Sequence, residues 1–300
     1  MLGTMISNMM VKPHQSPLFD DPSSYGLAHE NVDFETQDGV TLRGWLIKGG
    51  TDKVIVQSHF GVQCNRAGYC PDGKGLIKPW KQNISFLRHA KYLVDKGYSV
   101  LMYDFRGHGD SDVGPTPWVS WGPEEAKDVI AAAHYITRER PEFADAHIGL
   151  LSICMGAGAT TYAYGREDGL RNFPQIKALI AVQPLLYTYF VDAFGMPGFL
   201  QRAGGRVTKQ RLGFDLNTRS FLPDVKHISV PTLLVQNRND PWTNLDMVGA
   251  YYDGLTVEKE MLWLDIEKNR FAAYDYVGRE PDKVMGWFDT HLLGASTASH

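Results

Sequence analysis

Short apolar runs alternating with stretches of helical spacing constrain this chain more than any other feature. The runs are "KVIVQSHFG" (53–61), "YSVLMYDFRGHG" (98–109), "HIGLLSI" (147–153), "IKALIAVQP" (176–184), "VPTLLVQNRNDP" (230–241) and "KEMLWLDIE" (259–267). Strands that are apolar at nearly every position suit a parallel sheet buried on both faces. Between them, "ISFLRHAKYLVDKG" (84–97) has helical spacing and ends at Gly97, a C-cap residue. "GPEEAKDVIAAAHYITRER" (122–140) has Pro123 at a first helical position, acids in its first turn and bases in its last. Helices are also predicted over 243–255 and 281–293. This alternation implies a mostly parallel central sheet with helices on both faces.

Two alternating runs, "AHENVDFET" and "VTLRGWLIK", flank Asp38-Gly39 and predict a hairpin ahead of the parallel strands. Residues 1–30 show no clear periodicity and are expected to be an irregular leader. Residues 185–228 interrupt the repeat with aromatics, glycines and bases, and read as a small helical cap inserted over the sheet. The main domain then covers 31–293, with 294–300 as a tail.

With 300 residues, 43% of them hydrophobic and 21% charged, the chain can bury one large core. A net charge of −4 with bases and acids interspersed gives no footprint for nucleic acid or an anionic membrane, so neither is expected as a partner. The Met-rich start lacks a signal-peptide core, and no run of about 18 apolar residues follows, so a cytoplasmic location is expected. Three cysteines are too few for a disulfide scaffold. Cys64 and Cys70 are expected as free thiols, and their spacing makes no zinc site. No phosphate-binding glycine loop or ligand cluster occurs, so no metal and no cofactor are expected. The sequence admits a homodimer without requiring one.

Four landmarks fall in order: "HFG" (59–61), "YDFRGHGDS" (103–111), "SICMG" (152–156) and "NRNDPW" (237–242). "SICMG" joins a strand to a helix in the manner of the G-x-S-x-G nucleophile turn, with Ser152 for the first glycine and Cys154 at the nucleophile position. On these residues the chain resembles the α/β-hydrolase superfamily over roughly 30–293, specifically a cysteine-elbow, dienelactone-hydrolase-like subgroup. The resemblance implies Cys154 as nucleophile, backbone N–H groups of Phe60 and Met155 as an oxyanion hole, and Asp240 as the acid of the triad. The family's histidine is missing: the segment after the last strand reads "EKNRFAAYDY" (267–276), where Asn269 and Arg270 are nearest to its place.

Arg270 has three readings: a cation for a thiolate, a salt bridge to Asp240 filling the vacated space, or a ligand for a substrate carboxylate. In the first two its guanidinium should lie within about 4 Å of the Asp240 carboxylate or the Cys154 sulfur. His59 is read as shaping the oxyanion loop at the substrate side, with a replacement base as the alternative. His108 is read as a turn residue, Arg106 and Asp110 as a pair holding the same loop, and His291 as surface. Segment 184–199 is a candidate acyl-pocket wall, and the insert 62–83 a candidate wall of the entrance.

The chemistry these residues suggest is attack of Cys154 on an ester, thioester or lactone of a small acyl substrate. The alternatives are a lyase or cyclase, and a non-enzymatic binding protein that keeps the fold and pocket.

Overall fold

The structure, a computed structural model, describes residues 1–13, 16–61, 63–72 and 79–292. Eight strands form the main sheet: β1 His29–Glu35, β2 Thr41–Ile47, β3 Lys53–Ser58, β4 Ser99–Tyr103, β5 His147–Ile153, β6 Ile176–Val182, β7 Thr232–Asn237 and β8 Lys259–Leu264. Their order is β1-β2-β4-β3-β5-β6-β7-β8. β2 pairs antiparallel with β1 and β4, and all later pairs are parallel. The β1–β2 hairpin turns at Asp38-Gly39, where Gly39 has φ +75.

The sheet separates two apolar clusters. Val54 and Val56 of β3 face one and Ile55 the other, and Ile148 and Leu150 of β5 oppose Leu151 and Ile153 in the same way. A strand whose alternate residues all meet a core has no polar face, which is why these runs read as continuously apolar. On one side pack α3 (Glu125–His134), α4 (Met155–Gly165) and α7 (Leu245–Gly254); on the other pack α2 (Leu87–Asp95), α8 (Arg270–Arg279) and α9 (Pro281–His291). The cap of 185–228 carries α5 (Tyr187–Ala193), α6 (Gly198–Leu212) and two short 3₁₀ turns.

The leader departs from expectation. Leu2–Val11 forms a helix, α1, whose buried residues Ile6, Ser7, Met10 and Val11 repeat at i and i+4. It packs on α6: the Thr208 Oγ1–H donates to Ser7 Oγ at 2.9 Å and Arg211 Nη1–H to the same oxygen at 2.7 Å. Methionines and a serine at those spacings are weak helix signals alone, and only the cap supplies the surface that makes them a face.

A second departure lies after β8. The segment expected as a loop opens a helix at Arg270, with Asn269 as its N-cap, the side chain of which accepts from the Phe271 N–H at 2.8 Å. A third concerns the loop after β4. Arg106 does not pair with Asp110; it binds Asp128 and Asp38, and Asp110 pairs with Arg66 at 2.7 Å. His291 is half-sheltered rather than surface, its ring between the Trp287 carbonyl (2.9 Å) and Glu258 (3.2 Å). The cysteines of the described residues are all free. In the insert after β3, Cys64–Asn65, Gly68–Tyr69 and Ile84–Ser85 make a small antiparallel sheet, whereas 62 and 73–78 lie outside the described residues, as does the tail.

Candidate active site

β5 runs into α4 through Cys154, whose φ of 53° and ψ of −104° are sparsely populated for a residue with a side chain. The turn is held from both sides. The Cys154 N–H donates to the Val182 carbonyl at 2.8 Å, and the Cys154 carbonyl accepts from the Gly158 N–H at 3.1 Å. Gly156 allows the approach of α4 to β3, since a Cβ there would lie 2.4 Å from the Ser58 carbonyl oxygen. Ser152, where a glycine is usual, turns its hydroxyl to Thr160 Oγ1 at 2.8 Å.

The sulfur faces a slot walled by Phe60, Met155, Leu185, Phe190, Trp242 and Phe271, with Met9, Met10 and Lys12 arriving from α1 and the segment after it. The slot is a narrow cavity of about 40 Å³. Of segment 184–199, Leu185 and Phe190 line the slot, whereas Phe199 is 60% exposed and does not. The described part of the 62–83 insert does not line this slot; Pro79 instead borders a shallower pocket on the other side of Trp242.

Arg270 is fully buried and fully engaged. Its Nη1 bonds Asp240 Oδ2 and donates to Thr243 Oγ1 at 3.1 Å, Nε donates to Tyr274 Oη at 2.6 Å, and Nη2 donates to the Gln183 carbonyl. Cys154 lies near enough to Arg270 and Tyr274 to push the pKa of both upward. Burial alone would pull the guanidinium down, and Asp240, Tyr274 and Cys154 more than reverse this. Burial pushes the Tyr274 phenol well above 10, with Arg270 opposing. Arg270 thus pairs with Asp240, the second of its readings, inside the expected 4 Å. The third, a ligand for a substrate carboxylate, does not fit a guanidinium whose groups are spent on Asp240, Thr243, Tyr274 and Gln183.

Asp240 is shielded completely at its side chain and accepts, besides Arg270, the Thr243 hydroxyl at 2.5 Å and the Trp242 N–H at 2.9 Å. In a triad that carboxylate would orient an imidazole. Here it orients a guanidinium.

His59 does not touch substrate space. Its Nε2 accepts from the Phe105 N–H at 3.1 Å, which leaves Nδ1–H to donate to the Phe60 carbonyl at 2.7 Å. Burial lowers its pKa to about 3. With both nitrogens spent on backbone, the ring braces the loop from behind and cannot serve as a base. His108 lies beside it, centroids 5.3 Å apart, with Nδ1 on the Arg106 carbonyl, and burial lowers its pKa also.

Phe60, one of the two residues the resemblance names for the oxyanion hole, lines the slot. Gly61, next in the chain, lines the slot, and its N–H has no partner among the described residues. Met155 is the first residue of α4, so its N–H is left over by the helix.

Sequence reasoning missed Tyr274, Gln183, Thr243 and the α1 residues. Tyr274 was within reach, because it follows Arg270 by four and a helix there puts both on one face. Gln183, buried at φ 48°, carried no sequence signal; its side chain donates to the Arg270 carbonyl at 2.9 Å. Three of the four described non-glycine residues with positive φ (Trp121, Cys154 and Gln183) line the slot or clamp Arg270. Such conformations cost about 1–3 kcal/mol each and persist where the surroundings over-determine them.

The strand order, the strained elbow after β5 and the buried acid after β7 together are the α/β-hydrolase fold. Known proteins agree with it. The family described as serine aminopeptidase, S33, matches residues 84–212. An esterase of Pyrococcus furiosus is similar in structure, with a TM-score of 0.69 at 21% identity over 95% of this chain and 99% of that one. A polyketide transferase of Penicillium sp, grgF, is 27% identical over 171 residues, 57% of this chain and 48% of that protein, so the match spans about half the curated relative's length. The crystal structure of an α/β hydrolase GrgF from Penicillium has a TM-score of 0.60 at 19% identity, over 88% of this chain and 99% of that one. Among the described residues no helix is long and apolar enough to cross a membrane, and no cluster of three His, Cys, Asp or Glu could hold a metal ion.

Proposed function

We propose that this protein transfers acyl groups through a covalent intermediate on Cys154, taking an ester, thioester or lactone as donor. The observation that carries the reading is a cysteine on a strained elbow that lines an apolar slot, with the buried Asp240–Arg270 pair in the place of the family's acid and histidine. Attack is by the thiolate, the nucleophilic form of a cysteine. The sulfur bonds the acyl carbon, and the carbonyl electron pair moves to oxygen, held by the N–H groups of Met155 and Gly61. Collapse breaks the bond to the leaving alkoxide or thiolate, which takes up a proton. An acceptor nucleophile then attacks, loses its own proton, and the carbon–sulfur bond breaks.

The second half favours transfer over hydrolysis. Among the described residues lining the slot there is no histidine or carboxylate, and His59 and His108 sit behind the loop. Water therefore lacks a base, worth typically 10²–10⁴-fold, while a thiol or amine needs one less. A curated relative is itself named a transferase. The test is a panel of aryl esters, thioesters and lactones with and without a small thiol acceptor. Turnover should rise with acceptor concentration and the acyl group should appear on it. Hydrolysis at one rate regardless of acceptor would mean that water is activated here, and no acyl release from any class would favour the binding-protein alternative.

Lys12 is the charged residue among those lining the slot, and it makes no ion pair among the described residues. Lys12→Glu is expected to lower kcat/KM about fivefold for acyl donors ending in a carboxylate, the scale of one exposed ion pair, and to leave neutral donors nearly unchanged. Steady-state kinetics on a matched pair of donors check this.

A further inference from the structure

The charge of −4 is unevenly spread. From 193 to 214 there is no acid, and within that stretch α6 carries Arg202, Arg206, Lys209 and Arg211. Arg211 is used internally: it bonds Ser7 and lies 3.8 Å over the Trp118 ring. The other three are different. They stand at i, i+4 and i+7, one face of the helix, opposite its buried Gly204, Thr208 and Leu212. All three are exposed, and none has an ion pair or side-chain hydrogen bond among the described residues. Phe199, on the same face one turn earlier, is 60% exposed, and on the packed neighbour α1 Leu2 and Met5 are 47% and 54% exposed. Most large apolar side chains of the protein are covered, so this concentration on two adjacent helices is a local feature.

We infer that the α1–α6 face docks on an anionic lipid surface. Cations beside exposed aromatic and aliphatic side chains match a bilayer interface, where headgroup phosphates meet the charges and the acyl boundary takes the apolar residues. An acidic protein would satisfy the cations but leave Phe199, Leu2 and Met5 without a counterpart. The placement also has a use. α1, which carries Leu2 and Met5 at its start, delivers Met9 and Met10 to the slot above Cys154 less than two turns later. A protein so docked holds the slot wall next to the phase where long acyl chains reside. The docking itself does not depend on Cys154 chemistry.

The test uses the full chain and sedimentation with phosphatidylcholine vesicles, with and without phosphatidylserine. Binding should require phosphatidylserine and weaken as salt is raised. Arg202→Glu/Arg206→Glu/Lys209→Glu should reduce it by about two orders of magnitude, and Phe199→Ser should reduce it without changing the salt dependence. Both variants should retain wild-type thiol alkylation at Cys154 and turnover of a soluble ester, because none of these residues lines the slot. No binding to phosphatidylserine vesicles, or equal binding by the triple variant, overturns the inference. So does a concentration-dependent dimer that the triple variant abolishes while the wild type ignores lipid; the face would then belong to a second copy.

Discussion

Cys154→Ser is expected to lose about two to four orders of magnitude in turnover and to behave almost like Cys154→Ala. In a serine hydrolase the hydroxyl is activated by an imidazole, a contribution of about 10²–10⁴-fold. Among the described residues the slot lining holds no such group, and His59 and His108 face backbone. A thiol ionises far more readily than an alcohol and so needs a base less, and one atom changed at the elbow removes the chemistry while leaving the shape. Initial rates for the three proteins on one thioester settle it. A serine variant within tenfold of wild type would mean that a base reaches the elbow after all.

Arg270→Met is expected to destabilise the fold by about 3–5 kcal/mol, because it leaves the Asp240 carboxylate buried without its cation. Arg270→Lys should recover little, since an ammonium cannot reach Asp240, Tyr274 and the Gln183 carbonyl at once. Asp240→Asn/Arg270→Met removes both charges and should recover a large part of the loss in denaturant titrations. The double variant also isolates the chemical role. Folded but without a cation at the sulfur, it should alkylate with iodoacetamide at least about tenfold more slowly at Cys154, which stands for the loss of a charge-assisted contact of about 1.4 kcal/mol. In the wild type Cys154 should react well ahead of Cys64, whose thiol burial pushes up strongly.

The parallel sheet was legible because its strands are apolar at consecutive positions and because Gly and Pro punctuate the helices between them. The elbow was legible because a strand, a cysteine and small residues stand in a fixed order. What could not be read shares a physical reason: it depends on contacts far apart in the chain. α1 is a helix because Ile6 and Ser7 meet Gly204 and Thr208 on α6. "NRFAAYDY" is a helix because Asn269 caps it and Phe271, Ala273 and Tyr274 pack into the core beside Ile84–Ser85 and β7.

The vacated histidine place also acquires a physical meaning. An arginine whose groups reach Asp240, Thr243, Tyr274 and Gln183 is a fixed positive charge, and it cannot shuttle protons as imidazole does. A site so built stabilises anions and leaves proton traffic to the reactants. That distinction, more than the fold, separates this protein's proposed chemistry from that of a serine hydrolase.

The most direct measurement is intact-mass spectrometry of the protein mixed with a short-chain thioester and quenched in acid. One acyl group per chain is predicted, mapping to the peptide that holds Cys154, absent from Cys154→Ala and discharged when a thiol acceptor is added. Product formation by a protein whose Cys154 stays free, at every time sampled, would contradict the account.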